Sequence, residues 1–209
     1  MKRKLLVPLL LLAGLLQVCW SQQNASPRQL LDAALTAVGS EDSWRSAVVT
    51  TNLRTIVTNH SSSAEFATAR VLLVSHLMEK GAANDYVEAL TLANIALAVT
   101  PVSWRSAWVA VDKAAILGFQ NNVGALQAAG DALPIVDAAA IGQVSDPDFV
   151  RLLAVTGAQR SDLRDGVLSM IATHLIQQGS LAEADTYINQ VVDAKRRAKL
   201  QRLRNRPGP

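Results

Sequence analysis

Cysteine is almost absent: the 209-residue chain has one, Cys19. That excludes a disulfide framework and a structural zinc site built on thiolates. Histidine is nearly as scarce, with three: His60, His76 and His174. No two of them are spaced as a ligand pair, and neither a metal nor another cofactor is expected. Aromatic residues make up 4% and charged residues 18% of the chain. Runs of alternating apolar and polar residues are missing, which argues against strands. After the first 20 residues nothing is apolar for 18 residues or more, so no later span of a membrane is expected. Neither a Gly-x-Ser-x-Gly elbow nor a glycine-rich phosphate loop occurs. Acid pairs such as Asp146 and Asp148 at a helix start, or Asp162 and Asp165, are read as serving helix dipoles rather than glycosidase chemistry.

What is present is apolar and helix-forming. Half of the residues are hydrophobic, with alanine and leucine prominent, which rules out whole-chain disorder and favours helix. Lys2, Arg3 and Lys4 precede an apolar run from Leu5 to Val18, broken by Pro8, Gly14 and Gln17. Cys19 and Ser21 stand at −3 and −1 of a cleavage after Ser21, so residues 1–21 read as a secretory signal peptide. Two other readings stay open. One is a retained N-terminal anchor helix. The other is lipidation at Cys19: Leu16-Gln17-Val18-Cys19 resembles a bacterial lipobox but departs from it at Val18. Export to the periplasm or the outside is expected, with or without that anchor. Asn-x-Ser sequons at Asn24 and Asn59 would matter only in a eukaryotic secretory pathway.

The formal charge of +3 conceals a division. Lys195, Arg196, Arg197, Lys199, Arg202, Arg204 and Arg206 follow the last acid, Asp193. Residues 22–193 carry 10 basic and 17 acidic side chains. An acidic body with a basic tail is unsuited to nucleic acid.

The expected organisation is a polar lead-in (22–28), a helical domain (29–194) and the basic tail (195–209). Ser26-Pro27 and Ser145-Asp146-Pro147 have the composition of helix starts. Helices are expected near 29–38, 42–57, 64–80, 85–99, 103–118, 121–141 with an interruption at Pro134, 147–155, 161–178 and 181–204. Ser43-Trp44-Arg45-Ser46-Ala47 recurs as Ser103-Trp104-Arg105-Ser106-Ala107, 60 residues later. That points to duplication of a two-hairpin unit, or to two repeats with the same helix start. The expected fold is all-α, an array of antiparallel helical hairpins forming either a solenoid or a compact bundle.

Ala172, Gly179 and Ala184 have spacings of 7 and 5, and with them the segment 172–194 resembles the second half of a tetratricopeptide-type repeat. Leu77 to Pro101 resembles it more loosely: Ala89 and Pro101 are 12 apart, but Gly81 comes three residues early. Gly118 falls where a third turn would be expected. The resemblance implies a concave surface that binds peptides or partner proteins without catalysis.

Two groups of residues are candidates for binding. Trp44, Arg45, Trp104, Arg105 and Trp108 are of the types enriched at interface hot spots, although a Trp repeated in this way also serves as a packing anchor. Lys195, Arg196, Arg197, Lys199, Arg202 and Arg204 could dock to an anionic membrane surface or an acidic partner, or simply complement the end of a helix. The expected function is an exported, non-enzymatic module for a protein or peptide partner. The alternative is an envelope scaffold anchored through Cys19 or the tail.

Overall fold

The computed structural model describes residues 25–38, 46–99 and 101–206. The expected signal peptide, Cys19, Trp44 and Arg45 lie outside the described residues. Among those described there are ten α-helices and no strand: α1 (Pro27–Val38), α2 (Ala47–Asn59), α3 (Phe66–Lys80), α4 (Ala83–Val99), α5 (Trp104–Phe119), α6 (Ala125–Ala138), α7 (Pro147–Thr156), α8 (Ser161–Gln177), α9 (Leu181–Ile188) and α10 (Ala194–Arg204).

Local chemistry accounts for the boundaries. Ser26 and Gln29 exchange hydrogen bonds across the first turn of α1, with Ser26 N donating to Gln29 Oε1 at 2.8 Å. Ser103 and Ser106 form the same reciprocal box at the start of α5. Asp146 caps α7, accepting from Asp148 N at 3.0 Å, and Pro147 follows at the first helical position. Gly81 and Gly179 leave α3 and the α8–α9 turn at φ +72° and +79°, a region costly for residues with a Cβ.

Three expectations are corrected. Gly118 makes no turn; it lies inside the last turn of α5, and the reversal falls on Gln120–Gly124, with Asn121 at φ +50°. Pro134 does not interrupt α6. The lost donor frees the carbonyl of Gly130, which is exposed, so water can satisfy it. The stretch 181–204 is two helices rather than one. The carboxylate of Asp165 on α8 accepts from the backbone N–H groups of Val192 (3.0 Å) and Asp193 (2.8 Å), ending α9 early, and Asp193 then caps α10.

The principal packing joins neighbours along the chain, α1 with α2 through to α5 with α6, then α6 with α8, α8 with α9, and α8 with α10. α3 also meets α5, α5 meets α8, and α7 returns to α1. One continuous apolar core runs from Leu30 to Leu200. α3 is its axis: every residue from Thr68 to Leu77 is buried, as befits a helix enclosed by α2, α4 and α5.

Candidate functional site

Trp104 and Trp108 are placed by the core. Trp104 is 3% exposed and its ring lies 5.2 Å from that of Phe149. Trp108 meets Phe149 edge-on at 6.3 Å, and its indole N–H donates to Ser75 Oγ at 3.0 Å. Arg105 lies over the Trp104 ring at 4.5 Å, pairs with Asp146 at 3.0 Å and donates from Nε to Thr68 Oγ1. Thr68 in turn donates to Asp148, which also takes Arg28 at 2.8 Å. This chain of contacts ties α5, α3, α7 and α1 together. Burial works to raise the Asp146 carboxyl, but the Trp104 indole, the Arg105 guanidinium and two backbone N–H groups outweigh it and hold the carboxyl below the usual range. Trp104 therefore has no accessible face to offer a partner, and Arg105 is already engaged.

Further along α3, Ser75 bridges Trp108 and the buried carboxyl of Asp112. Burial pushes Asp112 up to about 7, against the lowering effect of the Ser75 hydrogen bond. His76 Nε2 lies 2.6 Å from Thr50 Oγ1, and burial brings its imidazole down to about 4. The depression beside Arg70 and Ser106 has no room for a water. Among the described residues no three His, Cys, Asp or Glu side chains gather into a metal site.

The basic tail separates into two sets. Arg196 binds the carboxylate and backbone carbonyl of Asp162, Arg197 donates to the carbonyls of Val191 and Val192, and Arg204 pairs with Asp185 at 2.9 Å. These three arginines fasten α10 to α8 and α9, and so are withdrawn from a docking surface. The side chains of Lys195, Lys199, Arg202 and Arg206 have no ion pair or hydrogen bond among the described residues.

Three of those cations, Lys199, Arg202 and Arg206, edge a groove. Between α8 and α10 a hollow of about 540 Å³ is floored by Ser169 and Thr173 and walled by Leu203, with Lys199, Arg202 and Arg206 along it. It shares Ser169, Thr173 and Lys199 with a second hollow of about 560 Å³ that reaches α5, where Val111, Phe119 and Met170 supply apolar surface and His174 and Asn121 polar surface. Phe119 is 63% exposed, with the Tyr86 ring centre 6.5 Å from its own. The two hollows adjoin through these shared residues as a channel-like depression, with most of its cations along the first hollow, and among the described residues no Asp or Glu lines either part.

Sequence reasoning found Lys199 and Arg202 by charge but missed Ser169, Thr173, Met170 and Phe119. Small polar residues on a helix carry no signal of their own, and the groove exists only because α10 folds back along α8. No protein-family model, curated protein or solved structure matches the chain.

Proposed function

We propose that the chain is an exported, non-enzymatic interaction module that holds a segment of a protein partner in the groove between α5, α8 and α10. The observation that carries this reading is the adjoining pair of hollows, which share Ser169, Thr173 and Lys199 and set unpartnered cations beside largely apolar walls. Pockets of this size, with a few placed polar groups on apolar walls, suit ligand binding. The local packing of the α8–α9 hairpin supports it too. Ala172 and Ala184 are buried on either side of the left-handed Gly179, as close-packed hairpins of the tetratricopeptide kind require.

The test is a displayed library of random twelve-residue peptides, selected on the full chain and counter-screened on Thr173→Trp, which fills the junction of the two hollows. Peptides that bind the parent and lose at least ten-fold on Thr173→Trp are expected. An empty selection, or binders indifferent to Thr173→Trp, overturns the reading. Recovery of the chain with membranes through Cys19 would move the function to a scaffold.

A further inference from the structure

The groove's electrostatics define its occupant, an inference that rests on the reading above. We infer that the segment held there is an acidic peptide, with carboxylates seated on Lys199 and Arg202 and an apolar side chain laid against Phe119 and Met170.

Charge complementarity is the first argument. Lys199 and Arg202 are exposed and without partners among the described residues, whereas Arg196, Arg197 and Arg204 on the same helix are each committed to the body. Elsewhere most cations are answered: Arg28, Arg54, Lys80, Arg105, Arg151 and Arg164 each meet a carboxylate, and Arg160 meets the Ile141 carbonyl. In a body where acids outnumber bases, a channel wall free of acids is a local inversion of sign. Such an inversion draws an anionic segment.

Spacing is the second. Lys199 and Arg202 are three residues apart on α10, a rise of about 5 Å. Two carboxylates match that at i and i+3 or i+4 of a helical segment, or at i and i+2 of an extended one, where the advance is about 7 Å.

The floor is the third. Ser169, Thr173, His174 and Asn121 place donors and acceptors along the channel. A peptide backbone can satisfy such groups, whereas an acyl chain would leave them buried without partners.

The test uses three displayed twelve-residue libraries on the full chain, with charged positions drawn from Asp and Glu only, from Lys and Arg only, or left neutral. The acidic library is expected to enrich on the parent. On Lys199→Glu/Arg202→Glu its binders should weaken at least ten-fold while the basic library begins to enrich. Both substitutions are at exposed positions, and unchanged helicity and thermal midpoint will show that the variant folds. Enrichment from the neutral or basic library alone overturns the acidic assignment but leaves the groove reading intact. Acidic binders that ignore the double reversal overturn the placement on α10. If no library enriches, both readings fail, and binding to phosphatidylglycerol vesicles that is lost on charge reversal would assign the cations to a membrane surface instead.

Discussion

Asp112 and His76 work against each other in the pH dependence of stability. Asp112 keeps its proton in the folded protein up to about 7, whereas an unfolded aspartate releases it near 4. Over that window the folded state holds the extra proton, and stability falls as pH rises. His76 stays neutral in the fold down to about 4, whereas an unfolded histidine takes its proton near 6.5. There the unfolded state holds the extra proton, and stability rises with pH. The two slopes offset each other between pH 4 and 6.5, so the parent's urea midpoint should be nearly flat across this range as far as these groups set it. Asp112→Asn should expose the histidine slope, a gain of about 3 kcal/mol from pH 4 to 6.5 at 1.36 kcal/mol per unit. A midpoint that still falls with pH in Asp112→Asn would contradict the assignment. Trp104→Ala should cost about 3–5 kcal/mol, read as a drop in urea midpoint, because it empties the space against Phe149. Trp104 was visible in the sequence as an important residue, but its role was not. A Trp beside an Arg at a helix start suits an exposed anchor and a buried one equally, and only Phe149, 45 residues on, decides between them.

Helices were largely legible, because their signals are local. Ser26-Pro27, Ser103 and Asp146-Pro147 mark starts, Gly81 and Gly179 mark ends, and apolar spacing supplies the faces between. The α9–α10 boundary escaped because its cause is tertiary: Asp165, on another helix, takes the N–H groups of Val192 and Asp193. One local clue was there, the cap-forming Asp193 after two β-branched residues. Asp165→Ala should cost about 1–3 kcal/mol, since two backbone N–H groups lose their shared, buried acceptor. Amide exchange at Val192 and Asp193 should quicken before that of α8. Equal quickening throughout would mean that Asp165 does not set this boundary.

For the molecule as a whole, sequence showed the all-helical class and the order of the helices. It did not show that α7 returns to α1 through Arg28 and Asp148, 120 residues apart. Nor did it show the groove, which depends on where α10 comes to rest. α10 is joined to the body in an unusual way: Leu200 is its only buried residue, and Arg196, Arg197 and Arg204 do much of the holding. A segment with so little apolar burial opens locally at a fraction of the cost of unfolding the domain. Its two ion pairs are also open to screening, over a Debye length of about 8 Å at physiological ionic strength. The wall of the groove is thus its least cohesive part. A ligand that needs Lys199 and Arg202 in place binds only while α10 is seated, and by mass action it holds that helix down. Occupancy would then be written in the protein itself, as a terminal helix converted from a fraying end into a latch.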